Sequence, residues 1–496
     1  MTGEAPGLVL LTLGQRAARG ALITVGAQFI RIFVQVAGVV FLARLLSPGD
    51  YGLVAMVTAV VGVAEIFRDF GLSAAAIQVK HLSRAQRDNL FWLNTSAGLV
   101  LSAIVFLAAP GLALWYDRPE LVGIAHWLAP IFLLNGMTTQ YRADLNRRLQ
   151  FHRIAFIDVL APVVALGAAL GAALAGASYW ALVAQQLTAS SVLLLATAIA
   201  ARWLPRLPRR KEPMGDLLSF GWNLAGAQFI GYLGNNVDSL TIGYRFGPSA
   251  LGLYNRGFQL LMAPLGQLRS PTTTVALPIL ARLRNDSNSS NRYVQQGQIA
   301  MGFTLVAGVA LVLGAAGPIT AIFLGPKWIE VEPLIRLLAA SGILQTLAFV
   351  GYWVYLAHGL TKELLHYTIL VVPIKICCIL IGSHWGVTGV AAGYLIAHAL
   401  EWPLSFVWLS RKTNINVRGL YLGAARILVL ASVVATSAYG ACYVTAFLSQ
   451  WVQLGGAVLA AAVSYGLVMI LPAFRRDFLD VLSIVRAGMT QRRGTR

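Results

Sequence analysis

Charge is scarce in this chain: Asp, Glu, Lys and Arg make up 11% of its 496 residues, whereas 57% are hydrophobic. A water-soluble protein of this length needs more charged surface than that, so the chain is read as integral to a membrane. Acid is scarcer still, with 19 carboxylates against 38 cations and a formal charge of +19. Such an excess would suit nucleic acid if it formed one patch interleaved with aromatics. The cations instead sit in short loops between apolar runs, so no nucleic-acid partner is expected. Cysteine is nearly absent. Cys377, Cys378 and Cys442 all lie in apolar segments, and the vicinal pair is poorly placed to bridge itself, so no disulfide, metal site or cofactor is expected.

What is present is a repeat. Gly26-Ala27-Gln28-Phe29-Ile30 recurs unchanged as Gly226-Ala227-Gln228-Phe229-Ile230, and the same offset holds at Pro48/Pro248, Gly52/Gly252 and Leu53/Leu253. The chain is therefore read as a tandem duplication whose unit is a bundle of membrane helices. Substrate sites of transporters lie between such repeats.

A helix needs roughly 20 apolar residues to cross a ~30 Å hydrocarbon core. About fourteen such spans are expected, near 21–43, 51–73, 89–114, 120–140, 154–175, 178–203, 217–243, 251–275, 297–324, 334–357, 363–382, 386–409, 420–446 and 451–473. Alternate loops hold 27 Lys and Arg on one side and four on the other, Arg44, Arg118, Arg245 and Lys327. By the positive-inside rule this places both termini in the cytoplasm and requires an even number of spans. The expected organisation is all-α and polytopic: a six-helix lobe at 1–204, a Pro-rich basic linker at 205–216, a second six-helix lobe at 217–412, and a helix pair with a basic tail at 413–496.

Seven cations fall inside spans: Arg31, Arg68, Arg256, Arg269, Arg336, Lys375 and Arg426. Charge in a membrane is costly and faces protein or a wet cavity, so position carries information. Arg31, near the middle of the first span, and Arg269 are the leading substrate contacts, one in each lobe, the alternative for Arg31 being a buried pair with a carboxylate. Arg256 balances snorkelling against function, and Arg68 shares a helical face with Glu65 and Asp69, where the three can neutralise one another. Arg336, near the start of the tenth span, reads as an interface residue, with Glu330 or Glu332 as its candidate partner. Among the acids, Glu65, Asp69, Asp158, Asp238 and Glu401 are all candidates for a coupling proton or Na⁺; Asp238, with Asn235 and Asn236 a turn away, is the leading one, the alternative for it being a pair with one of the arginines. His126 and His398 read as packed histidines. No catalytic constellation stands out.

At Ala43–Met56, Phe67–Ser73 with Ile77-Gln78, Leu251–Met262 and Val275–Arg282, the chain resembles bacterial polysaccharide exporters of the Wzx type, in particular their colanic-acid-exporter-like branch. These belong to the multidrug/oligosaccharidyl-lipid/polysaccharide flippase superfamily. The resemblance implies a two-lobe fold of twelve core helices, often with two more, and translocation of an undecaprenyl-diphosphate-linked oligosaccharide across the inner membrane by alternating access. It also implies partners among the glycosyltransferases and polymerase of one pathway. Arginines suit such a substrate, because a guanidinium binds phosphate bidentately. Trp92, Trp127, Tyr232 and Tyr254 are candidates for stacking on sugars. The competing readings are a small-molecule exporter of the same superfamily and a polyprenyl-linked glycosyltransferase or polymerase.

Overall fold

The computed structural model describes residues 6–69, 83–208, 215–284 and 286–479, with side chains for most of them. The fold is all-helical. In hydrocarbon every backbone N–H and C=O must be satisfied within its own segment, so uninterrupted apolar runs become helices. The chain forms two compact units, Met1–Asn255 and Arg256–Arg496.

The first unit contains α1 (Pro6–Leu45), α2 (Pro48–Asp69), α3 (Arg84–Tyr116), α4 (Glu120–Leu128), α5 (Pro130–Arg147), α6 (Phe151–Leu174) and α7 (Trp180–Ala201). It also holds the beginning of α8 (Gly215–Arg282), which runs on into the second unit. At 68 residues α8 is about 100 Å long by its rise, too much for one crossing. Gly247, at φ 81° and ψ −175°, breaks it between the stretches expected to span at 217–243 and 251–275; the ten helical stretches that qualify as spans among the described residues include neither. The short join at residues 176–178 likewise separates α6 from α7, with Gly176 and Ser178 both at positive φ.

Within this unit α6 packs along α7 and α1, and α3 packs along α5. Ser83 caps α3 in a capping box: its hydroxyl accepts from the Gln86 amide while the Gln86 side chain accepts from the Ser83 amide. Asp50 ties two loops together, accepting from the Ser47 amide and hydroxyl and from the Ser178 hydroxyl. Partial burial acts to raise its pKa, and these hydrogen bonds outweigh it, holding the carboxyl below its ordinary value.

The second unit continues through α9 (Ser287–Met301), a π-turn at Gly302–Val306, α10 (Ala307–Gly314), α11 (Ala316–Phe323), α12 (Val331–Ala357), α13 (Thr361–Gly382), α14 (Gly386–Ser410), α15 (Val417–Val444) and α16 (Gln450–Val468). Of its apolar window α12 buries 61%, against 22% for α16 and for α13 with α14, which makes α12 the centre of this unit. It packs against α14 and α10; α13 lies along α14, and the terminal pair α15 and α16 docks through α15 onto α10. Among the described residues ten helical stretches are long and apolar enough to cross a membrane, so the chain is a multi-pass membrane protein. Residues 209–214 of the expected linker lie outside the described residues.

Candidate functional site

Among the described residues of the first unit two carboxylates each serve two guanidiniums: Asp144, with Arg87 at 3.3 Å and Arg148 at 2.9 Å, and Asp158. Arg142, near the end of α5, donates from both terminal nitrogens to the two oxygens of Asp158 on α6, at 2.6 and 2.7 Å. Arg31, brought alongside because α1 packs on α6, lies 3.8 Å from the same carboxylate. The bidentate pair uses the best acceptor geometry of Asp158, so Arg31 is held by attraction at longer range. Its side chain stays 38% exposed, and the trio carries one positive charge in excess. The partner of Arg31 thus comes from a different helix.

In the second unit the polar side chains form a chain. Arg269 on α8 is buried and donates to Gln345 Oε1 on α12 at 3.1 Å; Gln345 Nε2 in turn donates to the Tyr394 hydroxyl on α14 at 2.9 Å. Among the described residues Arg269 Nε has no hydrogen-bond partner, and its guanidinium lies 5.6 Å from the centre of the Phe349 ring. Lys375 on α13, also buried, places its Nζ 4.8 Å from the centre of the Tyr394 ring. Below Tyr394 on the same helix, His398 Nδ1 meets the Tyr394 carbonyl at 2.8 Å, and His398 Nε2 lies 3.6 Å from Glu401 Oε2.

The remaining sequence candidates fall as follows. Asp238 is buried and accepts from the Tyr254 hydroxyl at 2.6 Å and the Ser239 amide at 2.8 Å. Asn236 donates its side-chain amide to the Tyr232 carbonyl. Arg256 is buried. Glu65, Arg68 and Asp69 end α2, and their side chains lie outside the described residues. Arg336 pairs with Glu332 at 2.6 Å and Arg426 with Asp477 at 3.1 Å, so both cations have acidic partners within the protein. Among the described residues no three His, Cys, Asp or Glu are grouped to hold a metal ion.

Of the candidate stacking aromatics, three have their polar group engaged by protein. Trp92 donates to the Arg206 carbonyl, Tyr232 to the Ala59 carbonyl and Tyr254 to Asp238. Trp127 is exposed and lies edge-on to Trp180. His126 stacks on Phe106.

Sequence reasoning missed Arg142, which stands just past an apolar run, and the clustering of Gln345, Tyr394 and His398 with Glu401, itself one of the candidate proton carriers. One signal for the latter was available. Tyr394, His398 and Glu401 stand at i, i+4 and i+7, the spacing of a single helical face.

Residues 41–333 match the model of a family described as polysaccharide biosynthesis protein. The chain is similar to the teichuronic acid biosynthesis protein TuaB of Bacillus subtilis, 31% identical over 60% of this chain; the match spans 62% of TuaB's length. It is similar to the lipopolysaccharide biosynthesis protein WzxC of Escherichia coli, 24% identical over 80% of this chain and 81% of that one. Its fold is similar to that of the lipid II flippase MurJ in an inward closed conformation, with a TM-score of 0.73 and 14% identity, covering 92% of this chain and all of MurJ. The family match covers more than half of the sequence, and the chain accordingly belongs to the polysaccharide biosynthesis protein family.

Proposed function

We propose that this protein flips an undecaprenyl-diphosphate-linked oligosaccharide, the repeat unit of a polysaccharide, across the bacterial inner membrane by alternating access. No bond is made or broken; the isoprenoid stays in lipid while the diphosphate and sugars cross through protein. The glycosyltransferases and polymerase of the same pathway would supply and consume that lipid, and both termini face the cytoplasm.

The observation that carries this reading is the trio of Arg31, Arg142 and Asp158. A spanning segment retains unbalanced charge only at a cost, and two guanidiniums on one carboxylate leave capacity for a further anion. A diphosphate has the charge and the paired oxygens to use it. Arg269 is the second proposed contact, buried and with Nε lacking a hydrogen-bond partner among the described residues. A small-molecule exporter for cationic compounds would need the opposite balance around Asp158.

Lysine keeps the charge of arginine and loses its planar fork, whereas glutamine loses both. Polymer export should fall in the order wild type, Lys, Gln at Arg31 and at Arg269, with protein levels unchanged and lipid-linked oligosaccharide accumulating in the inner leaflet. Wild-type export by both Arg31→Gln and Arg269→Gln would refute the reading.

A further inference from the structure

The backbone carbonyl of Tyr394 can only accept a hydrogen bond, so the His398 nitrogen that meets it at 2.8 Å must carry the proton. In a neutral ring the other nitrogen, Nε2, is then an unprotonated acceptor. It faces an oxygen of Glu401 at 3.6 Å. Two acceptors so placed repel unless one proton stands between them. With that proton present, the atoms can close to hydrogen-bond distance, and the charge of the pair changes from −1 to 0. We propose that His398 and Glu401 form a one-proton binding site in the middle of α14.

The groups around the pair set its proton affinity. From α13 comes Lys375, which acts electrostatically on both members, together with Tyr367, whose hydroxyl donates to the Glu401 carbonyl at 2.9 Å. From α8 comes Arg269, which acts on His398 at longer range. From α12 comes the neutral Gln345, and from α15 Tyr421, whose hydroxyl donates to the Pro403 carbonyl. The two cations favour the more negative, deprotonated pair. An anion at Arg269 would offset them and draw the proton in; that consequence rests on the function proposed above, whereas the pair itself does not.

The test uses the purified full-length protein in lipid nanodiscs without substrate. Infrared difference spectra across a pH titration should contain a protonated-carboxyl band that Glu401→Gln removes. His398→Gln deletes the acceptor that shares the proton and should move the midpoint of the band to lower pH by about one unit, a tenfold loss of proton affinity. Lys375→Met removes the opposing charge and should move it to higher pH. The opposite signs separate a shared proton from general loosening of the fold. If Glu401→Gln does not fold, Lys375→Met still reports, because it leaves both members in place. A wild-type spectrum with no such band, or a midpoint unmoved by both His398→Gln and Lys375→Met, overturns the proposal. Because no lipid-linked sugar is present, either outcome is independent of the transported substrate.

Discussion

A Cβ built on Gly52 would sit 1.6 Å from the carbonyl oxygen of Pro248, and one built on Gly252 would sit 1.9 Å from that of Pro48. The contact is reciprocal, and all four residues lie at the offset of the duplication. The start of α2 and the part of α8 beyond Gly247 therefore cross backbone to backbone, at a closeness only glycine permits. This explains why these positions read alike in both copies.

Gly52→Ala should accordingly be severe. Overpacking in a core costs typically about 1–3 kcal/mol, and here the obstacle is backbone that no rotamer change relieves. Fluorescence-detected size-exclusion chromatography should show a collapse of the monodisperse peak for Gly52→Ala and for Gly252→Ala. Gly111→Ala is the control. That glycine lies in a helix with nothing within 4 Å of its Cβ position, and the exchange should be neutral or stabilising by up to about 1 kcal/mol.

Asp158→Asn should lower thermal stability by about 1–3 kcal/mol, because it leaves two guanidiniums in a span without their carboxylate; partial exposure keeps the loss below that of a fully buried pair. Arg142→Gln in the same background should recover part of the loss. A thermal-melt double-mutant cycle measures the coupling, and strict additivity of the two changes would mean that the bidentate pair contributes nothing to the fold.

Much of the architecture was legible because hydrocarbon leaves apolar runs one option, the helix, and because Gly and loop cations punctuate those runs. Partners across helices were not legible. Arg31 meets Asp158, 127 positions on, only because α1 lies along α6. Arg142 was hidden by a boundary: the apolar run fades near residue 140, yet α5 continues to Arg147 and keeps the side chain facing α6. The pairing of Arg336 with Glu332 was legible, being local at i, i+4. His398 reads as a packed histidine and is indeed buried against Tyr394, but neither Lys375 nor the Tyr394 carbonyl that fixes its tautomer announces itself in the sequence.

The proposed orientation has a direct test in single cysteines at exposed positions. Ser287 opens α9 on the side rich in cations, and Ser249 follows the break at Gly247 on the side that is poor in them. In intact cells an impermeant thiol reagent should label the Ser249→Cys protein and spare Ser287→Cys. Labelling only at residue 287 would invert the topology.

Two carboxylates now compete as the seat of a coupling proton, and their surroundings separate them. Asp238 accepts from the Tyr254 hydroxyl and from the Ser239 amide, both of them hydrogen-bond donors. Glu401 faces an unprotonated imidazole nitrogen and has Lys375 nearby, an arrangement whose charge state depends on one proton. Asp238→Asn should therefore lower stability, because Tyr254 loses a charged acceptor, a change of about 1–3 kcal/mol. Export by that variant should nonetheless keep its dependence on the proton gradient. Glu401→Gln should do the reverse, leaving the protein folded while export no longer responds when the gradient is collapsed with an uncoupler. Polymer release measured with and without uncoupler decides between them: a gradient-independent Asp238→Asn beside a gradient-dependent Glu401→Gln would move the coupling site to α8.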